Sequence, residues 1–185
     1  MKHESLRDLA TRRGLWIGCA VEPAQLHDDP ACREIVTREF NCITAENCMK
    51  FDALQPERGV FTFDVADRLL DFAAEHGMAV RGHTLVWHNA LPAWLKERPL
   101  GRAEALDLLQ QHIETVVTHF KGRLPWWDVV NEVIDDGFPG YRLKHNLWYR
   151  AIGEDYLELA FRWAHAADPA SLLFYNDYDL QSGEQ

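Results

Sequence analysis

A parallel α/β fold of the barrel kind is predicted by three observations. Five short apolar, β-branched runs alternate with helical patterns along the chain, without a linker, repeat or low-complexity tract. Four of those runs end in polar or aromatic side chains instead of plain turn residues: Glu46/Asn47, His83/Trp87, Asn131/Glu132 and Asn176. No glycine-rich phosphate loop follows the first run, which weakens a nucleotide-binding reading. The alternation alone fits a doubly wound sheet as well as a barrel. In a barrel, however, the strand ends converge on one mouth, where the chemistry of such folds sits; in an open sheet they spread along an edge.

Residues 15–21 read as a first buried strand. Asp29-Pro30 opens a helix that runs to about Arg38, with Pro in a favourable first-turn position. Phe40 to Thr44 reads as the second strand, ending in Ala45-Glu46-Asn47, and Lys50 follows. Asp64 is a plausible N-cap for a helix with Leu69, Leu70 and Ala73 on its apolar stripe and Gly77 just past its end. The run from Met78 to His88 begins as a third strand and ends in a polar-aromatic cluster. Leu109, Ile113, Val116, Val117 and Phe120 recur at helical spacing, giving an amphipathic helix from Arg102 to about Phe120, punctuated by Gly122. Trp126 to Glu132 is the fourth strand, followed by a turn-rich loop through Gly140. A helix from Glu154 to Ala167 stops at Asp168-Pro169, and Ser171 to Asn176 is the fifth strand.

Composition narrows the function classes. The 185 residues are 47% hydrophobic, enough for a sizeable core. A formal charge of −10 argues against nucleic acid as a partner. No run approaches the length of a membrane span, so no membrane partner is expected. The N-terminus has no apolar core of a signal peptide, so the chain as written is expected to be cytoplasmic, or secreted if a leader has been removed. Cys19, Cys32, Cys42 and Cys48 form no zinc spacing, and Cys19 and Cys42, in strand-like runs, read as buried free thiols. His83 and His88 are not at zinc-motif spacing either, and neither a metal nor a cofactor is expected. Seven Trp suit sugar binding, but Trp also fills cores; Trp94, Trp126, Trp148 and Trp163 are assigned to packing. The oligomeric state is not legible.

Four motifs occur in order: residues 44–50 (Thr-Ala-Glu-Asn-Cys-Met-Lys), 81–88 (Arg-Gly-His-Thr-Leu-Val-Trp-His), 127–132 (Trp-Asp-Val-Val-Asn-Glu) and 175–178 (Tyr-Asn-Asp-Tyr). Together they closely resemble the endo-β-1,4-xylanases of glycoside hydrolase family 10, over nearly the whole chain. The resemblance implies a TIM (β/α)8 barrel, of which the chain, as one partial catalytic domain, contains about the first five βα units. It implies hydrolysis of internal xylosidic bonds in xylan or xylo-oligosaccharide with retention of configuration. Retention needs an acid/base carboxyl and a nucleophilic carboxylate roughly 5–5.5 Å apart. By motif, Glu132 is the acid/base. The family's nucleophile lies on strand seven, outside this chain, as do the strand-six Gln/His segment and the strand-eight Trp residues; Glu184 matches no such motif.

The other assignments also follow from the resemblance. Glu46, Asn47 and Lys50 form a glycone-side cluster able to donate to and accept from vicinal hydroxyls. His83 and Trp87 line the site around the scissile bond, Asn131 bonds the sugar 2-hydroxyl, and Asn176 is a leaving-group-side contact. Asp128 and His88 are read as structural. Strict strand alternation sends Asn131 and Glu132 to opposite faces, so both reach one site only if the strand ends or bulges there. The chain departs from the family's pattern at Ala90, where Gln is frequent, and at Asp179 and Gln181, where Asn and Glu are common. Two further readings stand beside the xylanase: a barrel glycosidase acting on another β-1,4-glycan, and an inactive fragment or weak glycan binder.

Overall fold

The computed structural model describes residues 4–97, 99–135, 137 and 142–178. The element order is α1 (Leu6–Arg12), β1 (Gly18–Val21), α2 (Pro23–Asp28), α3 (Pro30–Glu39), β2 (Cys42–Ala45), α4 (Phe51–Leu54), α5 (Asp64–Glu75), β3 (Ala79–Trp87), α6 (Ala93–Lys96), α7 (Arg102–His119), β4 (Trp126–Asn131), α8 (Leu147–Ile152), α9 (Tyr156–Ala167) and β5 (Leu172–Asn176). The five strands form one parallel sheet in the order β1-β2-β3-β4-β5. A doubly wound sheet reverses its strand order at a switch point; a run of sequence neighbours without reversal is how a (β/α) barrel is laid down.

Helices α3, α5, α7 and α9 and strands β2, β3, β4 and β5 lie where periodicity and punctuation place them. Asp29 caps α3, its carboxylate accepting from the Ala31 and Cys32 amides. Two local readings are corrected. Asp64 is the first helical residue of α5; the cap position is Phe63, which makes no side-chain cap bond. An acidic residue is favourable on either side of that boundary, through capping or through the helix dipole, so composition alone does not fix the register. The first strand is shorter than residues 15–21 and is not buried: only Val21 is covered, while Leu15 and Trp16 are 61% and 60% exposed. Both β1 and β5 are edge strands, and no residue of β5 is buried. All four cysteines are free; Cys42 and Cys48 are buried, and Cys19 and Cys32 are half-buried.

The core fills the helical side of the sheet. Along β3 the even residues Val80, Gly82, Thr84 and Val86 are buried, while Arg81, His83 and Trp87 are half-buried. Gly82 is required by its neighbour in β4: a Cβ there would lie 2.4 Å from the Trp127 ring. The buried indole of Trp127 thereby lies over Gly82 and reaches Phe120 at the end of α7, 6.1 Å between ring centroids. Trp148 and Tyr156 complete this layer.

One polar pair lies inside the core. His112 on α7 has no exposed surface, stacks on Phe51 at 3.5 Å, and places Nδ1 3.0 Å from the Gln55 Oε1. Burial pushes its imidazole down to about 3, from an ordinary 6.5. Between those values the unfolded chain binds a proton that the folded chain refuses. Stability from this group is therefore fully present above pH 6.5 and is lost as pH falls toward 3. The expected slope is about 1.4 kcal/mol per pH unit. Urea midpoints at pH 6, 5 and 4 check it: His112→Gln should remove that component whatever it does to the baseline, and an unchanged slope in the variant refutes the assignment.

Candidate active site

The C-terminal ends of β2, β3, β4 and β5 carry the polar groups that bound one rim. Register fixes their level: Trp87 on β3 pairs with Asn131 on β4, which pairs with Asn176 on β5. Beyond Asn131 the strand stops. Glu132 takes a φ of 54°, the left-handed region that a non-glycine residue enters at a conformational cost and that concentrates at functional positions. The β4–β5 register also shifts between Asp128 and Val130. End and bulge together remove the alternation that would send Glu132 away from Asn131, and the Glu132 amide is tied to the Asn176 carbonyl at 2.9 Å.

The Glu132 carboxylate is held by a side chain from the next strand: Trp87 donates its indole N–H to Oε2 at 2.9 Å. Above the Trp87 ring, 4.9 Å from its centroid, sits the Lys50 ammonium. Lys50 donates to the Asn47 Oδ1 at 2.9 Å, and Asn47 donates to Glu22, which follows β1. Glu22, Asn47, Lys50, Trp87 and Glu132 are thus linked contact by contact across four strand ends. Asn131 is buried and accepts at 2.8 Å from Asn176. Glu46 and Asn47 are exposed.

Below the rim, His83 faces a hollow of about 740 Å³ that Glu46, Lys50, Arg81, Asp128 and Asn176 also line. Its Nδ1 lies 2.9 Å from the Asp128 Oδ2. Arg81 grips the same carboxylate, Nε to both oxygens at 3.0 Å and Nη2 to Oδ1 at 2.5 Å. Burial by itself would raise the Asp128 pKa; the bonds from His83 and Arg81 outweigh it and hold the carboxyl below its ordinary value. The peptide between His83 and Thr84 is cis. Trp126, expected only to pack, lines this hollow and meets Trp16 edge-on at 4.9 Å.

Of the sequence-predicted residues, Asn47, Lys50, Trp87 and Glu132 meet through direct contacts, Asn131 and Asn176 form a second pair, and Glu46 and His83 share the hollow. Glu22, Arg81 and Trp16 were not singled out by sequence. Arg81 left a signal: an arginine and an aspartate, each inside an apolar strand, need one another once those strands pair. Ala90 is buried beside Asn89. Asp179, Gln181 and Glu184 lie outside the described residues. Among the described residues no group of three or more His, Cys, Asp or Glu side chains is placed to hold a metal ion, and no helix is long and apolar enough to cross a membrane.

Parallel strands in sequence order whose C-terminal ends gather carboxylate, amide, ammonium and indole groups are the arrangement of a (β/α)-barrel scaffold that carries its functional groups at the strand ends. A family model described as glycosyl hydrolase family 10 matches residues 5–185, and the chain belongs to that family. It is 44% identical over 178 residues to endo-1,4-beta-xylanase B of Thermotoga neapolitana, covering 95% of this chain and 51% of that protein. The crystal structure of xylanase 10B from Thermotoga petrophila RKU-1 in complex with xylobiose superposes with a TM-score of 0.90 at 45% identity, covering 97% of this chain and 54% of that one. Native xylanase 10B from Thermotoga maritima gives 0.89 at 47% identity, over 95% and 54%. The chain thus spans about half the length of the relatives it matches. Its five strands are the N-terminal part of the TIM barrel of those enzymes.

Proposed function

We propose that this chain supplies the acid/base half of a retaining endo-β-1,4-xylanase. The observation that carries this is Glu132: a family 10 chain places a carboxylate just past β4, in a strained backbone conformation, with one oxygen fixed by the Trp87 indole. A carboxyl so held is oriented to protonate a leaving glycosidic oxygen and later to activate water. Lys50, Asn47 and Glu46 offer donors and acceptors to the glycone hydroxyls, and His83 is fixed by Asp128 on the floor beneath. Asn131, at the end of β4, is placed to bond the glycone 2-hydroxyl, and Asn176, which donates to it from β5, to contact the leaving group.

The nucleophilic carboxylate lies outside residues 1–185 in this reading, on a strand that completes the barrel. The purified chain is therefore expected to bind xylotetraose, read as a change in Trp fluorescence, without releasing xylo-oligosaccharides from xylan. Release that disappears in Glu132→Gln would show that the nucleophile is already present and overturn this part of the reading. Absence of xylotetraose binding would favour an inactive fragment.

A further inference from the structure

Glu22, the first residue past β1, carries a carboxylate that its own helix does not use, and no role has been assigned to it above. It sits at the N-cap position of α2, yet its side chain makes no cap bond. Glutamate is not among the residues that cap well, and the Gln25 amide, a usual target of a cap, already donates to the Glu22 carbonyl at 3.0 Å. The carboxylate instead accepts from the Asn47 carboxamide just past β2. We propose that Glu22 is a positioning residue of the glycone cluster: it holds the Asn47 carboxamide in the one orientation that presets Asn47 and Lys50 for the hydroxyls of a xylo-oligosaccharide. This rests on the glycan-cleaving reading of Glu132.

Two partners of opposite sign fix that orientation. Asn47 gives its amino group to Glu22, and its carbonyl oxygen accepts from the Lys50 ammonium at 2.9 Å. A half-turn of the carboxamide would set its donors against the ammonium and its oxygen against the carboxylate, so both partners reject it. Without Glu22 only Lys50 would discriminate, and Asn47 is exposed, where water competes for either end. Ordering that side chain before the sugar arrives removes part of the cost of binding. The Lys50 ammonium also lies over the Trp87 ring, 4.9 Å from its centroid, so Asn47 and Trp87 hold it from two sides.

The backbone gives Glu22 this reach. Val21 pairs with Ala45, and the Glu46 amide donates to the Val21 carbonyl at 3.0 Å. Glu22 and Glu46 thus leave their strands at one level, with Asn47 a single step further. The Asn47 carbonyl accepts from the Lys50 amide at 2.9 Å, and Cys48 and Met49 between them are buried. The turn itself is therefore anchored, and the exposed Asn47 side chain is its adjustable part. Burial pushes the Cys48 thiol up to about 11, with the Glu22 carboxylate as a further cause, which sets that carboxylate within electrostatic reach of the same turn.

The test is calorimetry with xylotetraose on the 185-residue chain, with the Asn47 side-chain amide protons followed by NMR in the ligand-free protein. Glu22→Ala should weaken xylotetraose binding about fivefold, close to the net worth of one hydrogen bond, and should shift the Asn47 amide protons. Glu22→Gln keeps an acceptor oxygen at the same reach and should stay within about twofold of wild type. In an Asn47→Ala background, Glu22→Ala should cost nothing further, because its effect passes through that carboxamide. Equal losses in the two backgrounds would make Glu22 a direct sugar contact or a general prop of the fold, and overturn the proposal. A Gln variant as weak as Ala would make the charge the active feature, and also overturn it. If wild type fails to bind xylotetraose while the Asn47 amide protons still answer Glu22→Ala, the xylanase reading fails and the hold on Asn47 stands. If wild type binds and Glu22→Ala changes neither readout, the reverse is true.

Discussion

Glu132→Gln, placed in a barrel completed by the second half of the Thermotoga maritima relative, is expected to slow xylan hydrolysis by about 10²- to 10⁴-fold, the usual contribution of a positioned general acid or base. Gln preserves the shape of the side chain and can still accept the Trp87 indole N–H, so the geometry at the end of β4 should persist. Affinity for xylotetraose should therefore stay within about threefold, because proton transfer belongs to the transition state and not to ground-state binding. The loss should also depend on the leaving group. An aryl xyloside leaves without protonation, so its first step should be nearly normal and the sugar should accumulate on the nucleophile, giving a burst. Steady-state kinetics on xylan and burst kinetics on an aryl xylobioside check both halves. A uniform loss on the two substrates would make Glu132 a structural residue.

The second large effect concerns stability. Asp128→Ala is expected to destabilise the chain by about 3 kcal/mol, toward the lower end of the range for breaking a buried pair. The lower end applies because the Arg81 side chain keeps 33% of its surface, whereas that of Asp128 keeps 3%. Without the carboxylate, Arg81 loses its bidentate partner and His83 loses the acceptor that fixes its ring. Asp128→Asn, which retains one acceptor oxygen, should fall between wild type and Ala. The pH dependence has a definite sign. The folded carboxyl titrates below its ordinary 3.8, so its contribution is present above about that pH and is lost as pH falls through the folded value. Urea denaturation at pH 7 and pH 3 should show the gap between wild type and Asp128→Ala narrowing in acid. A gap under about 1 kcal/mol at pH 7 would mean that the pair is replaceable.

How far the sequence reveals this arrangement depends on the kind of signal. Long apolar periods place β3, α7 and β4 within a residue or two, because burial of a whole face leaves a regular trace. The short helices α1, α2, α4, α6 and α8 left little trace, since four to seven residues give no period; their local marks are single residues, such as the caps Ser5 of α1, bonded to the Asp8 amide at 3.1 Å, and Asn146 of α8, bonded to the Tyr149 amide at 3.0 Å. The motif residues at the strand ends were legible through resemblance, but their connections were not. Nothing in the order of letters joins Trp87 to Glu132 or Lys50 to the Trp87 ring, because those contacts come from register between strands. The geometric obstacle at Asn131-Glu132 was visible in advance, and its solution, a positive φ immediately past the strand, was among the possibilities that alternation leaves open.

Because every strand pairs with its neighbour in sequence, a chain leaving the ribosome never has to wait for a distant segment before adding the next strand. Each βα unit can dock on the one synthesised before it, and the helical face closes over Trp127, Trp148 and Tyr156 unit by unit. Chain synthesis and assembly thus share one direction: the Trp87 indole is at hand for Glu132 once β4 has docked on β3, and β5 then ties down the Glu132 amide.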